Sequence, residues 1–232
     1  HLYLLQVIVM EVRNKLYKNI GVHVIPTIFT VDKGVIKILL VKRTNMPYKD
    51  YWALPSGALY NNELLCDGAK RELKEKTGLV NIDLDFGFIF DDLNRSDLMR
   101  MIGISFIGVI NIEGLELQKE TLKTSSADFF SIEDIPKLAY DHNKVIEKSI
   151  EILRTKILES SILRDLLPDE FTLPELQQVY ETLLSKSLDR RNFRKKLLND
   201  GIIESVNKDI LYNGKRPAKM YRFCDNMSKC IL

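Results

Sequence analysis

The chain has 232 residues, 45% apolar and 28% charged, with a formal net charge of +2, as expected of a soluble globular fold of one large or two modest domains. Three cysteines (Cys66, Cys224, Cys230) and three histidines (His1, His23, His142) share no metal-ligand spacing and form no CxxC pair, which supports neither a disulfide framework nor a zinc site and suits a reducing, cytoplasmic setting. The apolar opening, Leu2 to Met10, is shorter than the ~20 residues of a membrane span and lacks the flanks of a secretory signal, so it reads as a strand and no membrane association is expected.

In chain order, Val22 to Val31 and Val35 to Val41 are β-branched apolar runs joined by Asp32-Lys33-Gly34, the signature of a hairpin whose glycine supplies positive φ. Asn62 to Lys76 has helical spacing and ends at Gly78. Leu84 to Phe90 and Met101 to Ile112 read as strands, the second apolar enough to be central, and Ile132 to Ile135 as a short helix or turn. Lys144 to Glu159 carries an apolar stripe at Val145, Ile146, Ile150, Leu153 and Ile157, a helix able to close a first domain over residues 1–160. The pattern then restarts over 161–232. Pro174 to Ser185 is a helix capped by Thr172, and Asp189 to Asn199 a second helix with Asp189 as N-cap and Gly201 as its stop. Ile202 to Val206 and Ala218 to Phe223 flank a turn at Asn213-Gly214.

Residues Gly57 to Leu79 carry the chemistry. Gly57, Glu63, Arg71, Glu72, Leu73, Glu75, Gly78 and Leu79 fit G-x5-E-x7-R-E-U-x-E-E-x-G-U, with U aliphatic, at every specified position except residue 76, where a lysine replaces an acid. At 3.6 residues per turn, residues 72, 75 and 76 project from one helix face, which here bears two acids and one base. Carboxylates in such an array suit Mg²⁺, which neutralises a diphosphate and activates water.

This stretch resembles the Nudix box. Trp52-Ala53-Leu54-Pro55-Ser56-Gly57 is similar to the family's W-x-L-P-G-G lead-in, and Pro136-Lys137-Leu138-Ala139-Tyr140-Asp141-His142 is similar to the L-P-x-L-A-F-D-H segment shared by ADP-ribose pyrophosphatases and NrtR-type Nudix regulators. The resemblance implies an α+β fold, an α/β/α sandwich on a mixed sheet. It also implies metal ligation at Glu72 and the residue 76 position, with Glu75 beside them, Arg71 orienting the acids, and Gly57 and Glu63 shaping the site. Lysine at 76 puts a cation where a metal would sit, able to reach Glu72 and Glu75, so Mg²⁺ binding is expected to be weakened or lost. In the competing arrangement Lys76 swings to solvent and another acid, such as Asp91 or Asp92, completes a metal site. Arg95 and Arg100, in a polar loop between strands, could grip phosphate with forked donors. Tyr51 and Trp52 could stack on a base, although a strand tryptophan is more often core.

The C-terminal part is basic: residues 190–222 hold ten Lys+Arg against three Asp+Glu. On the second helix Arg191, Arg194 and Lys195 share a face of about 100° opposite Phe193 and Leu197, as a recognition helix in a major groove requires. Lys215 and Arg216, at the turn Asn213 to Pro217, would form a basic wing reaching the DNA backbone. Phe171 to Gln177, Arg191 to Leu197 and Arg216 to Phe223 resemble the winged helix-turn-helix that follows the Nudix domain in NrtR-type regulators. That resemblance implies a homodimer binding a DNA operator in response to ADP-ribose or a similar effector. The alternative is a Mg²⁺-dependent hydrolase of the ADP-ribose pyrophosphatase type.

Overall fold

The computed structural model describes residues 20–96, 99–157, 160–212 and 216–224; Leu2 to Met10 and Cys230 lie outside them. β1 (Gly21–Asp32), β2 (Val35–Arg43), β3 (Trp52–Ala53), β4 (Gly57–Ala58), β5 (Asp85–Phe90), β6 (Met101–Val109) and β7 (Thr124–Ser131) form a seven-stranded sheet. Its main path runs β3-β2-β1-β6-β5, with β4 on β1 and β7 on β2. β1 and β6 run parallel from Gly21↔Met101 to Phe29↔Val109, and the other pairs are antiparallel, which makes the sheet mixed.

Strand alternation explains why both faces are covered. Val24 and Ile28 of β1, with Leu39 of β2 and Ile104 and Phe106 of β6, face helix α1 (Leu65–Thr77), where they meet Ala69 and Leu73. The intervening Ile25, Phe29, Ile38, Leu40 and Ile107 face Val145, Ile146 and Leu153 of α2 (His142–Lys156). A period of two with both phases apolar yields a sheet sandwiched between helices.

A second unit follows: α3 (Ser160–Leu166), β8 (Phe171–Thr172), α4 (Leu173–Leu184), α5 (Arg190–Asn199), β9 (Ile203–Tyr212) and β10 (Arg216–Phe223). Its sheet has the order β8-β10-β9. Thr172 opens α4 with a capping box: its hydroxyl accepts from the Glu175 amide, and the Glu175 carboxylate accepts from the Thr172 amide at 2.7 Å. The two units share one apolar core, in which Val31 and Ile36 of the first cluster with Leu176, Val179 and Tyr180 of the second. The β1–β2 turn abuts α4, and a Cβ on Gly34, at φ +80°, would lie 3.0 Å from the Glu175 Cα.

Several boundaries move from their sequence expectations. α1 begins at Leu65 rather than Asn62, because Glu63 is drawn outside the helix by its partners. β6 ends at Val109 rather than Ile112, its last rung onto β1 being the bond from Ile110 N to Phe29 O. The helix expected at 144–159 runs from His142 to Lys156, and α3 was not expected. β7 was missed because Thr-Ser-Ser-Ala-Asp-Phe-Phe-Ser lacks a β-branched run, and it forms through pairing with β2. Ile132 to Asp134 is a turn. Cys66 and Cys224 are free thiols, and no helix among the described residues is long and apolar enough to cross a membrane.

Candidate functional site

The box folds as a loop clamped onto a helix. β4 pairs with β1 through His23↔Ala58 and Val24↔Gly57, which holds the loop beside α1. Glu72 is buried, 3% exposed, and its carboxylate lies against Gly57, where a Cβ would come within 2.1 Å of Glu72 Cδ. Glycine is needed here for space rather than for backbone conformation; Gly78, at φ +76°, ends α1 in the left-handed region.

Arg71 is the hub. Its Nε and Nη2 donate to Glu63 at 2.8 and 2.6 Å, its Nη1 to Glu72 Oε1 at 2.5 Å and to Glu75 Oε2 at 3.4 Å, and its Nη2 also to Ala58 O at 2.9 Å. The guanidinium stacks 3.8 Å over the Tyr60 ring. Hydrogen bonds from Arg71 and the Tyr60 amide hold the Glu63 carboxyl down to about 2, and those carboxylates hold Arg71 firmly protonated.

Lys76 turns inward. Its side chain is 12% exposed and its ammonium lies 3.2 Å from Glu72 Oε2, donating to Ser56 O. Lys123, from the loop before β7, donates to Glu75 Oε2 at 2.5 Å and lies 3.9 Å from Glu72 Oε1. Burial pushes Glu72 up, but Lys76, Arg71 and Lys123 outweigh it and hold the carboxyl below its ordinary range. Burial lowers Lys76. Lys123 is raised, Glu75 and Glu72 overcoming its partial burial.

Three carboxylates, Glu63, Glu72 and Glu75, are thus matched by three cations, Arg71, Lys76 and Lys123. A hard divalent ion needs several oxygen ligands free to face it. Here each carboxylate already faces a cation, and among the described residues no group of three His, Cys, Asp or Glu side chains is arranged to hold a metal. The residues do not fit the ion. Asp91 and Asp92 are exposed, and Asp92 Oδ1 is occupied by the Asn94 amide at 2.8 Å; with Lys76 buried, the arrangement that swings it to solvent does not occur.

The cleft over this cluster has a volume of about 340 Å³ and is walled by Arg43, Tyr60, Glu72, Lys76, Lys123 and Tyr140, among others. Gly57 lines it, while Glu63 acts from behind through Arg71. Arg43, at the end of β2, donates to Pro47 O at 3.1 and 2.9 Å and sits 4.9 Å from the Tyr140 ring centroid. Sequence reasoning missed Arg43 and Lys123, since no local motif marks them. Beneath the cleft, His142 Nδ1 accepts from the Leu54 amide at 3.0 Å. Burial lowers His142 to about 3, and burial with the Arg95 charge lowers His23 to about 4.

Arg95 and Arg100 are each engaged within the chain. The Arg95 fork is spent on Asp141, with Nε and Nη2 each at 3.0 Å, and its side chain is buried over Gly103, whose Cβ would meet Nη1 at 2.4 Å. Arg95 is therefore a clamp between the β5–β6 loop and the start of α2. Arg100 donates to Asp92 O at 2.8 Å and does not line the cleft. Trp52 packs edge-on against Phe130, 4.6 Å between centroids, at the core margin, and Tyr51 stands against Tyr48.

The second candidate surface is α5. Asp189 Oδ1 caps it by accepting from the Asn192 amide at 2.8 Å. Phe193 and Leu197 are buried, Phe193 packing edge-on against Tyr180 at 5.4 Å, which turns Arg191, Arg194 and Lys195 outward, all exposed. Among the described residues none of the three enters an ion pair. Arg216 opens β10 paired with Tyr212; Lys215 lies outside the described residues.

Two domain models match separate parts of the chain. Residues 21–149 match the NUDIX domain and residues 163–223 the NrtR DNA-binding winged helix domain. The chain is similar to the ADPR responsive transcriptional repressor NtrR of Acinetobacter baylyi, 32% identical over 200 residues that cover 84% of this chain and 79% of that one. It is also similar to the ADP-ribose pyrophosphatase of Methanocaldococcus jannaschii, 37% identical over 111 residues, 48% of this chain and 64% of that one. The crystal structure of Shewanella oneidensis NrtR complexed with a 27mer DNA superimposes with a TM-score of 0.71 at 28% identity, covering 91% of this chain and 97% of that one. With the NUDIX domain matched over more than half of the chain and a regulator similar over 84% of it, the chain belongs to the Nudix family, in the NrtR branch that carries a DNA-binding winged helix.

Proposed function

We propose that this protein is a DNA-binding transcriptional regulator whose Nudix domain, within residues 1–160, senses ADP-ribose or a related nucleotide, and whose winged helix, within 161–232, holds the operator. The observation that carries this reading is the pairing of Lys76 and Lys123 with the box carboxylates. Nudix domains typically use a divalent metal; here cations of the chain stand in its electrostatic role. A diphosphate entering the cleft meets Arg43, Lys76 and Lys123 directly, with Mg²⁺ binding weakened or lost. Supporting the same reading, the A. baylyi relative is named for its response to ADP-ribose and S. oneidensis NrtR binds DNA. A homodimer follows from the two-fold logic of operators, each winged helix taking one half-site, and such a regulator works in the cytoplasm.

The hydrolase reading rests on the retained Glu63, Arg71, Glu72 and Glu75 and on the M. jannaschii relative. The charge match weighs against it twice, because Lys123 as well as Lys76 opposes the acids. Two measurements test the proposal. Fluorescence anisotropy with DNA from upstream of the protein's own operon should show salt-sensitive binding that ADP-ribose shifts; no binding at low salt overturns the regulator. Mg²⁺-dependent turnover of ADP-ribose should be negligible in the native chain and remain low in Lys76→Glu, rising only in Lys76→Glu/Lys123→Ala. Native turnover at the level of active pyrophosphatases would establish the hydrolase instead.

A further inference from the structure

The lead-in to the box, Trp52 to Gly57, departs from the W-x-L-P-G-G pattern at one position. Ser56 takes the place of a glycine, so a hydroxyl stands where the pattern has no side chain. Ser56 is 7% exposed and walls the cationic cleft together with Gly57, Lys76 and Lys123. Its Oγ also reaches His142, the 1% exposed residue that starts α2.

The bonds around that imidazole fix where the protons are. The Leu54 amide donates to His142 Nδ1 at 3.0 Å, so that nitrogen carries no hydrogen. Burial lowers His142 to about 3; at neutral pH the ring is therefore uncharged, with its one proton on Nε2. Nε2 lies 3.5 Å from Ser56 Oγ and can only donate to it. The serine thus accepts from the ring and keeps its own hydroxyl proton. Among the described residues no acceptor is bonded to that proton, and the Ser56 carbonyl already accepts from Lys76. A hydroxyl in a cleft wall with its proton unspent is a donor to an entering anion.

We propose that Ser56 is a phosphoryl-recognition residue particular to this chain, its O–H turned into the cleft by His142, which acts as a positioning residue. The proposal rests on the reading of the cleft as a diphosphate site. Arg43, Lys76 and Lys123 draw an anion in by charge, which is tolerant of direction. A hydroxyl held from behind adds one oriented hydrogen bond to a phosphoryl oxygen. His23 and Glu72 share the wall, but burial with the Arg95 charge keeps His23 neutral, and Arg71 and Lys76 neutralise Glu72.

Calorimetry on the full chain with inorganic pyrophosphate tests it. Ser56→Ala should weaken pyrophosphate about tenfold and move the thermal midpoint little. Imidazole nitrogen NMR adds a readout that a packing role would leave still. His142 should carry its proton on Nε2 in the free chain, and pyrophosphate should shift that resonance in the native chain but not in Ser56→Ala. Pyrophosphate affinity of Ser56→Ala within about twofold of native overturns the serine's role, and a proton on Nδ1 overturns its orientation by His142. If Ser56→Ala does not fold, Ser56→Cys, close in shape with only a weak S–H donor, carries the same expectation. A native chain that does not bind pyrophosphate overturns the diphosphate reading and the serine's role together, an outcome distinct from native binding that the substitution leaves intact.

Discussion

In the box, Arg71, Lys76 and Lys123 lie within hydrogen-bonding or ion-pair reach of Glu63, Glu72 and Glu75, and Glu72 and Lys76 are nearly out of solvent. On α5, Arg191, Arg194 and Lys195 stand exposed, and the acid at their helix start, Asp189, is committed to capping. The same residue types are thus arranged under opposite constraints. A buried charge must be matched, because desolvation in an apolar setting costs far more than solvation at the surface; an exposed one can be left for a ligand. The box therefore spends most of its charge on holding itself together, with Arg43 beside Lys76 and Lys123 facing the cleft, whereas α5 keeps its charge available to a polyanion.

Removing Arg191, Arg194 and Lys195 together should have the largest effect. Replacing all three by alanine should weaken operator binding by about a thousandfold near physiological salt and flatten the salt dependence by roughly one unit of slope per lost phosphate contact, without changing the thermal midpoint much. Anisotropy across a salt series reads both; undiminished affinity would place the DNA elsewhere. In the box the opposite result is expected, with stability rather than DNA contact at stake. Gly57→Ala forces a methyl group into the Glu72 carboxylate and should cost about 1 to 3 kcal/mol in a denaturant titration, and a neutral outcome would mean the carboxylate is free to move.

Acid should discriminate between the two regions as well. His142 has a folded-state value lowered from 6.5 to about 3, so between those values the unfolded chain binds the extra proton. Stability is then full above about pH 6.5 and declines as pH falls toward 3, by about 2 kcal/mol at pH 5. His142→Gln should flatten that decline in chemical denaturation at pH 7.5 and 5; an unchanged slope would assign it to other groups. The smallest change expected is Thr172→Ala, about 1 kcal/mol from loss of the α4 capping box, read as a shift of the thermal midpoint.

What was legible in the sequence was local. The spacing of Glu63, Arg71, Glu72 and Glu75 places them on one loop and helix, and the alternation in β1 and β2 gives their pairing, because both patterns repeat over a few residues. The phase of α5 was readable for the same reason, with Phe193 and Leu197 in and Arg191 and Arg194 out. What was hidden depends on distant chain. Lys123 reaches Glu75 across 48 positions, Arg95 meets Asp141 across 46, and β7 is a strand only because β2 offers it an edge. Arg95 is the clearest case: its pairing with Asp141 cannot be read from the polar loop it sits in. Lys76 was readable as a lost ligand, but its place in a balanced set of six charges required the tertiary structure.

The Gly34 turn seated on α4, within a core that runs unbroken from Val31 and Ile36 to Leu176 and Tyr180, has a mechanical meaning. The two units are joined by apolar packing as well as by the chain. A side chain added at Gly34 would strain that joint first.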